Sequence, residues 1–320
     1  MWKRNTTKRK LPDAMRWLLP LESVALLGLF TAISLAAVFS LTFYVPDTHS
    51  SAFALEHYLT GIFLGLLLLI ATRWRSGGGR LGADFLQLAR EIFALTLIVY
   101  LHFNFKLWAQ IINPYNFDAV YYAIDQAVAP LGEGLALINL GFTSLKAILP
   151  DAYHDVFVFM FLTTFVTLSV AGRREAFEGG LLAVALVLVI GGLAYIPAPA
   201  LGPFLYLPDS GTHADTIQQA MLEFQLRFVA SHGHDYHGGN FIMPLAAMPS
   251  LHTAHAFVLL YYAWRHLRWL GYVYLPLFIF LISEAVVSRW HYLIDLPAGL
   301  AIAGFCLWLS QEILRKRRQS

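Results

Sequence analysis

Met248-Pro249-Ser250-Leu251-His252-Thr253-Ala254-His255 opens one stretch of this chain, and Ser288-Arg289-Trp290-His291-Tyr292-Leu293-Ile294-Asp295 closes it. Between them lie two apolar runs parted only by a short basic turn, Arg265 to Arg268. Runs of this length and apolarity read as membrane helices joined by a turn on the water side. Each of the two histidine-bearing segments stands where an inbound helix would begin. Asp295 follows His291 by four residues, which predicts both on one helix face. Titratable groups at the ends of membrane-length helices are expensive to place there, so His252, His291 and Asp295 are functional candidates by default.

The rest of the chain carries the same signature. Hydrophobic residues make up 58% of the 320 and charged residues only 13%, far from soluble globular composition. Mean hydropathy is +0.59, and the apolar residues come in blocks. The reading is an all-α polytopic membrane helical bundle of about eight transmembrane helices. A net charge of only +2 gives no argument for a nucleic-acid partner, and none is expected. The single cysteine, Cys306, lies inside the last apolar run, so no intrachain disulfide forms.

In chain order, residues 1–20 form a basic tail (Lys3, Arg4, Lys8, Arg9, Lys10, Arg16). The block at 21–45 is too long for the apolar part of a cleaved signal, typically about 7–15 residues, and reads as the first span. Further spans are predicted at 52–72, 84–108, 152–171, 179–196, 250–264, 269–287 and 291–311. A helix lying at the interface is expected at 117–128, with Asp118 and Asp125 on one face. Pro197, Pro199 and Pro203 stop the fifth span. A loop of roughly 45 residues follows, with helical periodicity at 215–230 and a histidine-rich piece at 231–239. The organisation expected is two additional helices in 21–82, a six-helix catalytic domain in 83–314 and a basic tail in 315–320.

Eight spans place 18 of the 22 basic residues on the side that holds both termini, leaving only Lys106, Lys146, Arg227 and Arg289 on the other. The positive-inside rule then predicts both termini in the cytoplasm. His252, His291 and the long loop fall on the non-cytoplasmic face, periplasmic or lumenal. Ser250 is a candidate N-cap at the start of the sixth span. Helix N-termini present free N–H groups and a positive dipole end, so two of them at one depth make an anion site. Asp295 would hold one imidazole nitrogen of His291, leaving the other free to attack.

These two segments resemble the second and third signature motifs of the type 2 phosphatidic acid phosphatase superfamily, Pro-Ser-x-His at Pro249 to His252 and His-x-x-x-Asp at His291 to Asp295. Within it they are most similar to the inositol phosphorylceramide and sphingomyelin synthase branch. Tyr195-Ile196-Pro197-Ala198-Pro199-Ala200-Leu201-Gly202-Pro203 resembles the proline-rich region of that branch, and 118–125 its aspartate-containing segment. The resemblance implies metal-independent phosphoryl transfer without a cofactor, with His291 as nucleophile, Asp295 as its orienter and His252 as general acid. It implies a membrane lipid phosphate as substrate, with water or a lipid alcohol as acceptor. Ser250, Arg289, Arg227, His255 and Tyr292 are the residues expected to contact the substrate.

The chain also departs from the superfamily. An arginine six residues before the nucleophile is replaced by Ala285, the first motif is not recognisable, and Phe204 stands where related chains carry an arginine after Gly-Pro. A cation must supply what is missing. Arg289 ranks first for that role, then Arg227, with Lys146 and Lys106 behind. Glu284 is read as a partner for Arg289 or a contact for the acceptor hydroxyl, and the segment from Ser231 to His237 as a lid, a metal site or neither. Two other functions stay open at this point: a dedicated phosphatase for phosphatidate or polyprenyl pyrophosphate, and a transporter or lipid-binding protein built on the same helices.

Overall fold

The structure, a computed structural model, describes residues 18–44, 81–149, 151–208, 211–234 and 244–319. Every regular element among them is helical. α1 (Pro20–Phe39) and α2 (Leu81–Ile112) are followed by three shorter helices, α3 (Asp118–Ala127), α4 (Ala129–Leu140) and α5 (Thr143–Ile148). Then come α6 (Ala152–Val170), α7 (Arg174–Ala194), α8 (His213–Ala230), α9 (Leu251–His266), α10 (Arg268–Val287) and α11 (Asp295–Gln319).

Six of these, α1, α2, α6, α7, α10 and α11, are long and apolar enough to cross a membrane. The chain is therefore an integral membrane helical bundle. α9 has 16 residues and coincides with the sixth span expected from the sequence. The span expected at 52–72 lies outside the described residues. Large apolar side chains on the outer surface, such as Leu27, Phe30, Phe93, Phe159 and Trp308, are exposed, as suits contact with lipid.

α7 is the centre of the bundle and touches α1, α2, α6, α9 and α11. It is rich in small buried residues, among them Ala176, Gly179, Gly180, Ala183, Ala185, Gly191 and Gly192. Lipid tails are as apolar as leucine, so membrane helices gain by close backbone approach, which small residues permit. The turn that feeds α7 is a Schellman motif: Gly172 takes φ +66°, and the N–H of Arg173 returns to the carbonyl of Leu168 at 2.9 Å.

α1 and α2 run side by side in the same direction. Near their starts Arg90 pairs with Glu22 at 2.5 Å, and at their ends the indole N–H of Trp108 donates to the carbonyl of Thr42 at 2.9 Å. The basic ends of the bundle gather at one side. Arg318 of α11 pairs with Glu175 of α7 at 3.0 Å, Arg317 donates to the carbonyl of Leu18 at 2.8 Å, and Arg174 donates to Gln87 at 2.7 Å. The opposite side collects the starts of α6, α9 and α11 and the ends of α2, α7 and α10.

Candidate active site

At that opposite side the first turns of α9 and α11 are locked together. The N–H of Ser250 donates to the backbone carbonyl of Asp295 at 3.1 Å. Residue 299 on α11 must be glycine for this approach, because a Cβ there would stand 2.2 Å from the carbonyl oxygen of Ser250. Ser250 occupies the N-cap position, but its buried hydroxyl meets the hydroxyl of Thr253 at 2.9 Å and caps no backbone N–H.

His291 stands in the turn before α11, and Asp295 is the first residue of that helix. The expectation that both share a helical face is corrected here. Arg289, with φ +63°, turns the chain, and the N–H groups of Trp290 and His291 both return to the carbonyl of Ala285 at 3.0 Å. Asp295 Oδ2 accepts the N–H of Tyr292, three residues earlier, at 2.8 Å and so ties down the turn that leads into the helix. The same oxygen lies 3.3 Å from His291 Nδ1, and the carbonyl of Ala247 lies 2.8 Å from that nitrogen. Both neighbours of Nδ1 are acceptors, so Nδ1 carries the proton and Nε2 is the bare nitrogen. Nε2 has no partner among the described residues. Asp295 is fully buried.

Two aspartates of α3 brace this turn. Asp118, buried, accepts the N–H groups of Leu201 and Gly202 at 2.8 Å each and the phenol of Tyr292 at 2.7 Å. Asp125 accepts the N–H of Leu293 at 2.9 Å. Burial pushes the Tyr292 phenol well above its ordinary pKa, and the neighbouring Asp118 carboxylate adds to the shift, so the phenol stays a donor. The proline-rich segment and the histidine turn are thus held by one short helix.

A cavity of about 280 Å³ opens beside them, with both His252 and His291 on its wall. The ring of His252 sits among aromatic neighbours, with centroids 5.0 Å from Tyr153, 5.5 Å from His154 and 5.0 Å from Phe157. It has no hydrogen-bond partner among the described residues. His255 lines the same cavity, but its Nδ1 lies 2.8 Å from the carbonyl of Leu251 and its Nε2 3.3 Å from that of Val184. Leu95, Val99, Phe103, Phe161 and Leu188 form an apolar part of the wall.

Of the residues expected to contact substrate, His255 is at the cavity, and Ser250, Tyr292, Arg289 and Arg227 are not. Ser250 and Tyr292 are used up inside the fold, as described above. Arg289 forms an ion pair with Asp215 and donates to the carbonyl of Pro208. Its partner Asp215 also caps α8 through Thr212, and Gln218 of α8 donates to the carbonyl of Ser288 at 2.7 Å. Arg227 is half exposed, with Glu223 at 3.9 Å. Glu284 pairs with Lys146 at 3.1 Å and accepts from Asn139 at 2.9 Å, which corrects the expected pairing with Arg289.

The structure instead places Lys106, His102, Tyr153 and Trp290 on the cavity wall. For Lys106 the sequence did hold a signal: it is a cation well inside a helix of membrane length. Among the described part of the histidine-rich segment, Gly233 accepts from Thr42 at 2.9 Å and His232 Nε2 lies 3.3 Å from the carbonyl of Phe39, at the end of α1. Residues 235–243 lie outside the described residues. Among the described residues no group of three or more His, Cys, Asp or Glu side chains is placed to hold a metal ion.

A family model described as the PAP2 superfamily, that of the type 2 phosphatidic acid phosphatases, matches residues 140–309. The match takes in α5 to α10 and most of α11, with both histidine motifs, and covers just over half of the chain. The chain belongs to the PAP2 superfamily. No curated protein and no solved structure matches it. Superfamily membership together with the membrane-spanning helices supports a membrane phosphatase-type function.

Proposed function

We propose that this protein transfers the phosphoryl group of a membrane lipid phosphate through a phosphohistidine at His291. One observation carries the reading: His291 Nδ1 is held between Ala247 O at 2.8 Å and Asp295 Oδ2 at 3.3 Å, while the ring lines a cavity shared with His252. Nε2 attacks phosphorus as the bond to the leaving alkoxide breaks, and protonated His252 gives its proton to that oxygen. Asp295 stabilises the positive charge that the His291 ring gains. In the second half, neutral His252 takes the proton of an incoming water or alcohol, whose oxygen attacks phosphorus as the N–P bond breaks.

A lipid substrate suits the cavity. Leu95, Val99, His102, Phe103 and Lys106 follow one stripe of α2, apolar at first and polar at the end beside the histidines. From Leu95 to Lys106 the eleven rises of about 1.5 Å cover about 16 Å, enough for part of an acyl chain below a headgroup. The basic ends of the bundle lie at the opposite side, so the positive-inside rule supports a site on the non-cytoplasmic face. The resemblance to the inositol phosphorylceramide synthase branch supports transfer to an alcohol, in the manner of an inositolphosphotransferase.

The test uses the purified full-length protein with a panel of lipid phosphates, with and without inositol-type alcohol acceptors. Acid-labile phosphate on His291 in a quenched sample is the expected result, and its absence during measurable turnover would overturn the mechanism. Acceptor-dependent product would support transfer. Release of inorganic phosphate without any acceptor would identify a dedicated phosphatase.

A further inference from the structure

We propose that Lys106, on a helix outside the family-matched region, is the cation that holds the substrate phosphate against His291. The proposal rests on the phosphoryl-transfer reading above and names the group that reading lacks. A phosphoryl group in transfer spreads negative charge over its equatorial oxygens, and a site that stabilises it needs positive charge at that point.

Among the described residues four basic side chains lie at the site's end of the bundle, and three are committed elsewhere. Arg289 is paired with Asp215, Arg227 lies near Glu223, and Lys146 is paired with Glu284 and donates to Asn139 at 2.8 Å. None of the three lines the cavity. Lys106 does, together with His252 and His291. No carboxylate lies within ion-pair distance of its ammonium among the described residues. Of the two acidic residues on the cavity wall, Asp151 is taken by His154, whose Nδ1 lies 2.7 Å from its Oδ1.

The ammonium is positioned without being neutralised. Nζ stands 5.5 Å from the centroid of the Tyr195 ring, at the end of α7. One turn earlier on α2, His102 Nδ1 lies 2.9 Å from the carbonyl of Leu188, which ties this part of α2 to α7. A cation kept in a largely apolar cavity without a counter-ion is costly. An arriving phosphate dianion offsets that cost and gains a flexible donor with three N–H bonds. The two positions where the resemblance leads one to seek a cation are here apolar and buried: Ala285 sits in the core, and Phe204 packs with Leu201, Met221 and Leu245.

The test compares wild type, Lys106→Met, Lys106→Arg and Lys146→Met as full-length proteins in detergent. The readings are turnover of a short-chain phosphatidate, inhibition by orthovanadate and thermal unfolding. Lys106→Met is expected to lower kcat/KM about 100-fold and to weaken orthovanadate inhibition by a similar factor at an unchanged unfolding temperature. Lys106→Arg is expected to recover part of both, and Lys146→Met to leave orthovanadate inhibition unchanged. Turnover and inhibition within about twofold of wild type in Lys106→Met would overturn the proposal, and so would equal losses in the Met and Arg variants. A wild type that neither turns over lipid phosphate nor responds to orthovanadate would overturn the phosphoryl-transfer reading itself, and the proposal with it.

Discussion

Two walls of the same cavity are built on opposite rules. In the turn from α10 to α11 the polar groups hold one another: Arg289 holds Asp215, Tyr292 holds Asp118, the N–H of Leu293 is taken by Asp125, and His291 Nδ1 lies between two acceptors. On the facing stripe of α2, His102 is tied through one nitrogen and Lys106 has no counter-ion among the described residues. The contrast follows from the tasks we assign. A nucleophile must meet phosphorus along one line, so its ring is fixed from two sides, by Ala247 and by Asp295. A cation that follows charge through a reaction works better on a long, untied stem.

The largest effect is expected from removing the fixed side. His291→Asn should lower lipid-phosphate turnover by at least about 10⁴-fold and abolish the acid-labile phosphate, with unfolding temperature little changed. Next comes the proton carrier. His252→Gln should cost about 10³-fold in kcat, whereas His255→Gln, whose ring faces two backbone carbonyls, should cost less than about tenfold. Equal losses at the two positions would remove the distinction drawn between them.

Smaller effects separate holding from reacting. Arg289→Leu leaves the buried carboxylate of Asp215 without its guanidinium, and should cost about 3 kcal/mol of stability, read from thermal unfolding. Orthovanadate inhibition should hardly move in that variant, the reverse of the pattern expected at Lys106. The least effect is expected at Asp125, whose carboxyl burial pushes up to about 6 against the pull of the Leu293 N–H. Because its folded pKa lies above the ordinary carboxylate value, its protonated form favours the fold. That contribution is full below about pH 4 and fades as pH rises through about 6. Asp125→Asn should therefore flatten this part of the stability profile between pH 4 and 7, measured by unfolding temperature at matched ionic strength.

Much of the bundle was legible in the sequence because membrane length and apolarity act locally. The expected spans at 84–108, 152–171 and 269–287 fall on α2, α6 and α10 within a few residues, and the helical reading at 215–230 falls on α8. α4 and α5 were not foreseen, because Pro130, Gly132, Gly134 and Gly141 dilute the helical signal there. At the site, spacing alone pointed to His252, His291 and Asp295, and the fold places His252 and His291 on one cavity wall, with Asp295 behind the His291 ring. Spacing did not show that His291 precedes its helix, since the turn into a helix and a turn of helix both bring residues 291 and 295 together. Nor did it sort the cations. Arg289 ranked first by proximity in sequence to His291, and its partner Asp215 lies more than seventy residues away, where no local pattern reaches.

The shortness of α9 has a mechanical consequence. Its 16 residues extend about 24 Å, some 6 Å less than a bilayer's hydrocarbon core of about 30 Å. If Arg265 and Arg268 stand at one membrane boundary, a helix of this length leaves His252 at its other end short of the opposite boundary. On the function proposed above, either the leaflet would dimple toward the histidines or the lipid headgroup would sink below its neighbours to reach them. On that function host-membrane thickness would act on access, with thinner bilayers bringing the phosphate nearer to the two rings.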